Sequence, residues 1–456
     1  MSILADRSGE ACPHHLVCVP PTGQILGVTT VDPTLFDDLE ARGLVADTTD
    51  RAALRGRLAA GPMVLYCGFD PTADSLHVGN LIGLVTLRRF QLAGHRPIAL
   101  AGGATGMIGD PSGRSEERNL LDDERLARNL EGIVPQLRQF LDFEPGPAQA
   151  RLVDNRSWTV AMSAIDFLRD VGKYVTVNQM LGKESVRARI AGTTGISYTE
   201  FSYMLLQAND FAELFELEGC ELQVGGSDQW GNISLGVELV RKRHGAAVHG
   251  LTWPLLTRAD GTKYGKSASG EQLWLGAHRL SPYRFYQGWM HVEDADVRRL
   301  LLQLTLLSVP EIDEVVAEHL ADPGRRVGQR RVAREVTGLV HGGAVAATAA
   351  AASDVLFGGD VTTADAATFD MLAAEVPLAA VTRSDLAAGV DPVTIFATTG
   401  AAASKGEARR LLEQRGWTVN GRRIEPGDQL GPDDLLHDRW LLVRRGRSAY
   451  TLVEAR

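Results

Sequence analysis

The chain has 456 residues, and its 57 acidic and 47 basic side chains give a formal net charge of −10. This length suggests about two to four domains, and 44% hydrophobic with 23% charged residues is the composition of a globular protein. The hydrophobic stretches are short or interrupted by charge, which excludes a membrane span of about 20 apolar residues. Only four cysteines and no secretory signal at the N-terminus predict a cytoplasmic protein.

The first 30 residues show no periodic pattern and are predicted to be a disordered extension. Within them, the segment from Cys12 to Cys18 places two cysteines and two histidines in seven residues, which could bind zinc. Structural zinc sites, however, usually have two ligand pairs, each with short spacing. We therefore favour disorder, or a start codon placed too far upstream, and predict no metal ligands.

Residues 63–69 are an apolar, β-prone run that ends in a turn-rich sequence containing Asp70 and Asp74. Ser75 is predicted to cap a helix over residues 77–92, and residues 97–101 form the next predicted strand. Strand, helix and strand in this order are typical of a βαβ unit. The sequence therefore predicts an α/β fold with a parallel sheet.

The later elements follow in the same way. Mainly helical segments are predicted at 117–143, 161–207 and 281–356, short strands at 220–224 and 251–256, and a further helix from about residue 232. The Ala-, Thr- and Asp-rich stretch 357–390 is predicted to be a linker, and 391–456 to be a separate small unit. Residues 401–456 contain 11 basic and 8 acidic side chains. A basic end on an acidic chain suggests a polyanionic partner.

The helix start after the first strand is a candidate phosphate site. The first turn of a helix presents unpaired N–H groups and the positive end of the helix dipole. His77 and Asn80 are three residues apart and lie near one face of that turn, while Gly79 lets a ligand approach the backbone. From the residues alone, a helix start with a capping histidine is an equally good interpretation.

A second glycine-rich segment, 261–267, concentrates lysine in a chain whose basic residues are mostly arginine. The sequence has only six lysines, and both Lys263 and Lys266 lie in this segment. A flexible ammonium group suits a clamp on phosphate oxygens. A solvated surface loop is the alternative.

Tyr203, Gln207 and Asp210 form one polar stripe on a predicted helix whose other positions are mostly apolar. The stripe faces either solvent or a polar pocket. Periodicity cannot choose between them, and a solvent-facing stripe is the commoner case. A second polar cluster, 225–232, follows a predicted strand, where open α/β sheets bind their ligands. Its Asp228 is placed to accept hydrogen bonds from ribose hydroxyls.

Residues 401–424 predict a basic helix followed by a hairpin that turns at Asn420-Gly421. The basic side chains that this helix presents are Lys405, Arg409 and Arg410. Such a unit fits binding to an RNA backbone, whereas an ordinary amphipathic helix with a charged face is the alternative.

Taken together and in this order, these segments resemble bacterial tyrosyl-tRNA synthetases over about residues 30–456. Residues 77–80 (HVGN) resemble the first signature of class I aminoacyl-tRNA synthetases, and 263–267 (KYGKS) resemble the second. The segments 66–74 (YCGFDPTAD) and 225–232 (GGSDQWGN) are highly specific for this family. The C-terminal unit resembles an S4 RNA-binding domain.

The resemblance implies a division of the chain as well as a reaction. It implies a Rossmann-like catalytic domain with a helical insertion over 31–255, the second signature with an α-helical domain over 256–356, the linker over 357–390 and an α+β S4 domain over 391–456. The reaction implied is activation of L-tyrosine with ATP, accompanied by Mg²⁺, and transfer of tyrosine to the 3′-terminal adenosine of tRNA(Tyr). A homodimer is expected, with neither DNA nor a membrane as partner.

The resemblance also implies roles for individual residues. Tyr66 and Asp210 would bind the phenolic hydroxyl of the substrate. The other tyrosine-binding positions would be Asp110, Asn155, Tyr203, Gln207 and Gln229. Positions that match ATP contacts are Cys67, Gly68, Asp70, His77, Gly79, Asn80, Gly226, Asp228 and Lys266. The residues expected around the reacting phosphates are Thr72, His77, Asn80, Arg114, Arg118, Lys263, Lys266 and Ser267.

Two positions depart from the family pattern. Asn80 replaces the usual second histidine of the first signature, and Arg114 stands where lysine is frequent. Three other functions compete with this interpretation: a tryptophan-specific enzyme of the same class, a non-catalytic RNA-binding protein and an adenylating enzyme that does not act on tRNA. Tyr66 and Asp210 favour a phenol over an indole, the presence of both signatures favours catalysis, and the basic tail favours RNA.

Overall fold

The computed structural model describes residues 31–112, 120–192, 195–258, 261–262, 264–265, 270–446 and 448–456. The N-terminal extension, with its cysteine and histidine cluster, lies outside these residues. Among the helices described, none is both long and apolar enough to cross a membrane.

A five-stranded parallel sheet forms the centre of the larger part of the molecule, which confirms the predicted α/β fold. Its spatial order is β3-β2-β1-β4-β5. The strands are β1 (Val64–Phe69), β2 (Arg96–Ala101), β3 (Arg151–Asp154), β4 (Cys220–Gly226) and β5 (His249–Trp253). From β1 the chain builds β2 and β3 on one side and then crosses to place β4 on the other. The strand order therefore reverses between β1 and β4, and ligands of such sheets bind at this point.

Helices cover both faces of the sheet. Those within the sheet region are α1 (Leu35–Ala41), α2 (Arg51–Ala60), α3 (Val78–Leu92), α4 (Thr105–Ile108), α5 (Asp123–Phe140), α6 (Arg156–Thr159), α7 (Ala164–Asp170), α8 (Val177–Leu181), α9 (Glu184–Ile190), α10 (Tyr198–Glu218) and α11 (Trp230–His244). Alternate residues of β1 enter two different apolar cores: Val64 and Tyr66 pack with α10 and α11, whereas Leu65 and Cys67 pack with α3. Burial on both faces is why β1 is a continuous apolar run.

The predicted helices of 281–356 are confirmed. They are α12 (Pro282–Met290), α13 (Asp294–Leu304), α14 (Val309–Ala321), α15 (Val327–His341) and α16 (Gly343–Leu356). Their apolar side chains, such as Trp289, Leu300 and Val336, belong to the same core as Leu65 and the inner face of α3. The helical region thus packs continuously onto the sheet region.

A second, mixed sheet lies near the C-terminus, with the order β6-β10-β9-β7-β8. The elements of this unit are α17 (Ala366–Ala373), β6 (Leu378–Val381), α18 (Arg383–Ala387), α19 (Pro392–Thr398), α20 (Lys405–Glu413), β7 (Trp417–Val419), β8 (Arg422–Arg423), β9 (Trp440–Arg445) and β10 (Ala449–Ala455). The hairpin between β7 and β8 turns at Asn420 and Gly421, with φ of 50° and 78°, as the sequence predicts.

The segment 357–390 differs from the predicted linker, because it contains α17, β6 and α18. Strand β6 pairs in parallel with β10, so that Leu378 lies opposite Leu452. This partner stands at the other end of the unit, and a pairing so distant in the sequence leaves no local pattern by which to recognise a four-residue strand. The second sheet therefore begins upstream of residue 391.

Candidate active site

A cavity of about 610 Å³ opens at the carboxyl ends of β1 and β4, where the strand order reverses. Fifteen of the residues singled out in the sequence line it: Tyr66, Cys67, Gly68, Asp70, Thr72, His77, Gly79, Asn80, Asp110, Tyr203, Gln207, Asp210, Gly226, Asp228 and Gln229. The fold thus brings together side chains from β1, the start of α3, α10 and the end of β4. Arg114, Arg118, Lys263, Lys266 and Ser267 lie outside the described residues.

The inner end of the cavity is formed by two buried side chains. Tyr66 is 1% exposed, and its hydroxyl has no hydrogen-bond partner among the described residues. Asp210 is 2% exposed, and burial raises the pKa of its carboxyl group to about 7. An unpaired buried hydroxyl next to a buried carboxyl group is costly unless a ligand supplies the missing partner.

Asp210 is oriented by two donors that do not line the cavity. Asn155 Nδ2 donates to Asp210 Oδ2 at 2.9 Å, and Trp158 Nε1 donates to Asp210 Oδ1 at 2.8 Å. These hydrogen bonds oppose the effect of burial on the pKa of the carboxyl group. Asn155 is itself held by the Ala104 amide, which donates to Asn155 Oδ1 at 2.7 Å. Asn155 therefore supports the carboxyl group from behind the cavity wall.

A second carboxylate, Asp70, follows β1 and connects three elements. Tyr203 Oη donates to Asp70 Oδ2 at 2.8 Å, and Thr105 Oγ1 donates to Asp70 Oδ1 at 2.7 Å. Thr105 Oγ1 also accepts from Asn155 Nδ2 at 3.0 Å, so the two carboxyl groups share one hydrogen-bond network. Burial and the neighbouring Asp70 carboxylate raise the pKa of Tyr203, which keeps its hydroxyl a donor.

A third carboxylate, Asp110, belongs to an amide network at the end of β4. Gln229 Nε2 donates to Asp110 Oδ2 at 2.6 Å, and Gln207 Nε2 donates to Gln229 Oε1 at 3.2 Å. Asn232 Nδ2 donates to Gln207 Oε1 at 2.9 Å and so fixes the orientation of that amide. Acceptor oxygens from Asp70, Asp110 and Gln207 are suited to bind an ammonium group.

The outer end of the cavity is the N-terminus of α3. The structure corrects the predicted cap, because His77 rather than Ser75 is the N-cap residue. The Gly79 amide donates to His77 Nδ1 at 3.0 Å, and Asn80 Oδ1 accepts from the His77 amide at 3.1 Å. With Nδ1 accepting, the neutral imidazole carries its proton on Nε2. Asn80 can complete this capping box with its own side chain, which gives the departure from histidine a structural role.

Two adjacent glycines bring backbone against the carboxylates around the site. A Cβ atom on Gly102 would overlap Asp70 Oδ1, and one on Gly103 would overlap the carboxylate of Asp154. Gly226 is similarly close to Asp228, since a Cβ atom there would lie 2.8 Å from Asp228 Oδ1.

Cys67 lines the cavity, but burial raises the pKa of its thiol to about 12, which makes it unsuited to act as a nucleophile.

The structure decides between alternatives that the sequence left open. The stripe of Tyr203, Gln207 and Asp210 lines the cavity, so it faces the polar pocket and not solvent, which is the commoner case for such a stripe. Lys405, Arg409 and Arg410 are exposed on α20 in the C-terminal unit and do not line the cavity. No group of three or more side chains suited to bind a metal ion occurs among the described residues.

Sequence reasoning did not place Thr105 and Trp158 in the site, and it gave no individual role to Asn232, the last residue of the cluster 225–232. Asn232 follows Gln229 by three residues on α11, so helical spacing could have shown that the two amides share one face. Trp158 and Thr105 lie on four-residue helices, α6 and α4. Helices this short carry no periodic pattern from which their orientation could be predicted.

Comparison with known proteins covers nearly all of the described chain. A family model for class I tRNA synthetases of the tryptophan and tyrosine type matches residues 58–358. A model for the C-terminal domain of tyrosine--tRNA ligases of the SYY-like type matches residues 369–453. The second match begins upstream of residue 391, as the second sheet does.

Individual relatives agree with the family models. A tyrosine--tRNA ligase of Opitutus terrae is 53% identical over 423 residues, which are 92% of this chain and 99% of the relative. A tyrosine--tRNA ligase of Roseiflexus castenholzii is 49% identical over 422 residues, with the same coverage of both chains. Among solved structures, a C-terminally truncated mitochondrial tyrosyl-tRNA synthetase of Aspergillus nidulans superimposes with a TM-score of 0.63 at 31% identity, covering 69% of this chain and 92% of that one.

Proposed function

This chain belongs to the tyrosine--tRNA ligase family, and we propose that the cavity between β1 and β4 forms tyrosyl-adenylate from L-tyrosine and ATP. In this reaction the carboxylate of tyrosine attacks the α-phosphate of ATP and displaces pyrophosphate. A ribose hydroxyl of the 3′-terminal adenosine of tRNA(Tyr) then takes the tyrosyl group. No step requires a covalent bond to the protein, so the site acts by positioning and by stabilising charge.

The tyrosine side chain is proposed to enter the inner end, where its phenolic hydroxyl meets Tyr66 and Asp210. The observation that carries the proposal is the unpaired Tyr66 hydroxyl beside a carboxyl group that Asn155 and Trp158 already orient. Phenylalanine would leave the Tyr66 hydroxyl without a ligand partner, which is unfavourable by about 1–3 kcal/mol, and would leave Asp210 with only the donors Asn155 and Trp158. This difference selects tyrosine at the binding step.

The ammonium group of the substrate is proposed to bind among Asp110, Tyr203 and Gln207. Gln229 donates to Asp110 and thereby links this position to the end of β4. Asp70 follows β1 and accepts a hydrogen bond from Tyr203. We propose that it lies between the amino acid and the nucleotide. These contacts would hold the substrate carboxylate toward the outer end of the cavity.

The nucleotide is proposed to occupy the outer end. Its ribose would contact Cys67, Gly226 and Asp228, and Gly68 would also contact the nucleotide. Its α-phosphate would face Thr72, His77 and Asn80 at the start of α3. A helix N-terminus favours negative charge. Mg²⁺ is proposed to enter with ATP as part of the substrate.

The leaving pyrophosphate is proposed to be held by basic side chains of the segment 110–118 and of the second signature. These are Arg114, Arg118, Lys263 and Lys266, with Ser267 beside them. All five lie outside the described residues, so this assignment rests on the sequence motifs alone.

The C-terminal unit is proposed to be an S4-type domain that binds tRNA through α20. Replacing Lys405, Arg409 and Arg410 together by Ala should raise the KM for tRNA about tenfold, because contacts with phosphates are lost. Pyrophosphate exchange, which needs no tRNA, should change less than about twofold. The matched control replaces Arg241, Arg298 and Arg325, which are also exposed. An equal effect of the control on tRNA would exclude α20 as the binding surface.

We further propose that the protein works in the cytoplasm as a homodimer. Seven of the thirteen large apolar side chains that are exposed among the described residues fall within residues 160–198, on and around α7–α10. Such a concentration of exposed apolar groups is typical of an interface. Replacing Ile165 and Leu168, which are 68% and 51% exposed, by Glu should convert a dimer to a monomer in sedimentation. A wild-type protein that sediments as a monomer would contradict this.

The test of the proposed function is exchange of labelled pyrophosphate into ATP with tyrosine, phenylalanine or tryptophan as the only amino acid. Exchange with tyrosine alone would establish the adenylation step and the recognition of the phenol. Exchange with tryptophan would contradict the role of Tyr66 and Asp210. The absence of exchange with all three would leave an RNA-binding function without catalysis.

A further inference from the structure

The segment that follows the second signature region is paired with the residues that lead into α3. The Val78 amide donates to the Leu273 carbonyl at 2.9 Å, and the Leu275 amide donates to the Leu76 carbonyl at 2.8 Å. His77 and Trp274 face each other across this short antiparallel bridge. The N-cap residue of α3 is therefore fixed by a segment that is distant from it in the sequence.

The side chains of this bridge are also in contact. The rings of His77 and Trp274 meet edge to face, with centroids 6.2 Å apart and planes at 66°. The hydrogen bond from the Gly79 amide to His77 Nδ1 selects the tautomer and holds that edge of the imidazole. The indole restricts the tilt of the ring about that hydrogen bond.

The indole is held in turn by Arg279. The guanidinium carbon of Arg279 lies 4.7 Å from the centroid of the Trp274 ring, and the guanidinium forms an ion pair with Asp74. His278 Nε2 lies 3.5 Å from Asp74 Oδ1 on the same side. Asp74 belongs to the turn between β1 and α3, so the chain of contacts begins and ends in the segment that carries His77.

Backbone packing at this place does not depend on the indole. The Gly276 amide donates to Ser75 Oγ at 2.9 Å, and Gln136 Nε2 donates to the same oxygen at 3.2 Å. These contacts, with the bridge itself, hold the two segments together through groups other than the Trp274 side chain. The indole, which also packs against the main apolar core, is the side chain of this segment that contacts the imidazole ring.

We propose that Trp274 is a positioning residue for His77 in tyrosine activation, and that Arg279, paired with Asp74, fixes the indole in place. This inference rests on the proposed role of His77 beside the α-phosphate. A correctly aimed Nε2–H group contributes only when the reacting phosphate reaches its transition-state geometry. Loss of the indole should therefore lower the rate and leave tyrosine binding unchanged.

The test is a double-mutant cycle in pyrophosphate exchange with Trp274→Ala, His77→Ala and the double variant. Trp274→Ala should lower kcat about tenfold, with the KM for tyrosine changed less than twofold, and Trp274→Phe should restore most of the rate. In the His77→Ala background, Trp274→Ala should lower kcat less than about twofold. A general structural effect would lower kcat by the same factor in both backgrounds.

Arg279→Ala provides a second test that does not disturb the core, because Arg279 is exposed. It should lower kcat about two- to fivefold. Arg439→Ala is the matched control, since Arg439 also stacks on a tryptophan, Trp440, at 4.3 Å and pairs with Asp370 and Glu454. This control, located in the C-terminal sheet, should leave exchange unchanged.

Each outcome has one meaning. Equal loss from Trp274→Ala in both backgrounds, or a raised KM for tyrosine, would overturn the proposal while the function of the cavity stands. An equal effect of Arg279→Ala and Arg439→Ala would overturn the part assigned to Arg279. If His77→Ala itself leaves kcat unchanged, the proposed role of His77 fails first, and the role of Trp274 fails with it.

Discussion

The two ends of the cavity differ in how firmly the protein itself holds their side chains in place. At the inner end, Asp210 and Tyr66 are almost fully buried, and Asp210 accepts hydrogen bonds from Asn155 and Trp158. At the outer end, Thr72 and Gly79 are exposed, and His77 forms hydrogen bonds with Gly79 and Asn80 in the first turn of α3. In the proposed function, the groups that would recognise tyrosine are therefore preformed in the core, whereas the groups that would act on the phosphates stand at a solvated edge.

This difference separates binding from rate. A preformed pocket gains affinity because little order is lost when the ligand enters. A group that meets charge only as it develops contributes to the barrier and not to ground-state binding. We therefore expect inner-end variants to change tyrosine affinity and selectivity, and outer-end variants to change kcat.

The largest effect is expected at the outer end. His77→Ala should lower the rate of adenylate formation by about 100-fold, because it removes a donor aimed at the reacting phosphate. The affinity for tyrosine, measured by equilibrium binding, should change less than about twofold. If His77→Ala lowers the affinity for tyrosine and leaves the rate of adenylate formation unchanged, the proposed difference between the two ends is wrong.

At the inner end, Asp210→Asn should lower kcat/KM for tyrosine by about 10- to 100-fold and change that for phenylalanine little. The charged acceptor of the phenol is lost, and one of the two donors to Asp210 loses its acceptor. Asp154→Asn is the matched control: this carboxyl group is also partly buried, which raises its pKa, but it does not line the cavity. Equal losses for tyrosine and phenylalanine would show that Asp210 supports the fold and not selectivity.

The raised pKa of Asp210 predicts a pH dependence of about tenfold. With a pKa of about 7 in the free protein, the carboxyl group is mostly protonated at pH 6 and mostly ionised at pH 8. The ionised form accepts the hydrogen bond from the phenol, so tyrosine should bind about ten times more tightly at pH 8 than at pH 6. The dependence should disappear in Asp210→Asn; if it persists there, another group is responsible.

The smallest effect is expected for a variant that removes one of the two hydrogen-bond donors to Asp210. Trp158→Phe removes one of the two donors that lower the pKa of Asp210. The pKa should therefore rise further, and tyrosine affinity at pH 7 should fall about threefold. The same pH titration measures both effects. The midpoint should move to higher pH, and the affinity of the variant for tyrosine should recover at pH 9. A midpoint that does not move would leave Asn155 as the donor that matters.

The sequence predicted best what is specified locally. The hairpin at Asn420-Gly421 and the helix that begins after Ser404 were found because a turn or a cap is determined by adjacent residues. The parallel sheet followed from the order of strand and helix signals. The motifs of 66–80 and 225–232 both line one cavity, because carboxyl ends of neighbouring parallel strands meet at one edge.

What could not be predicted depends on contacts between distant segments. Strand β6 pairs with β10, and neither strand contains a sign of the other. The stripe on α10 has the same spacing whether it faces solvent or a cavity, so only the position of β1 beside it decides. Trp274 lies almost 200 positions from His77 and contributes through a bridge of single residues, which carries no pattern of its own.

Gly102 and Gly103 have a consequence for natural variation. Neither has a left-handed backbone, so both would be judged replaceable by alanine from their conformation. Every other amino acid, however, adds a Cβ atom that would collide with Asp70 at one position and Asp154 at the next. Asp70 can retreat only by releasing Tyr203 and Thr105. Two glycines without any chemical function should thus tolerate substitution as poorly as catalytic residues, and missense alleles there should abolish growth when this gene is the sole source of the enzyme.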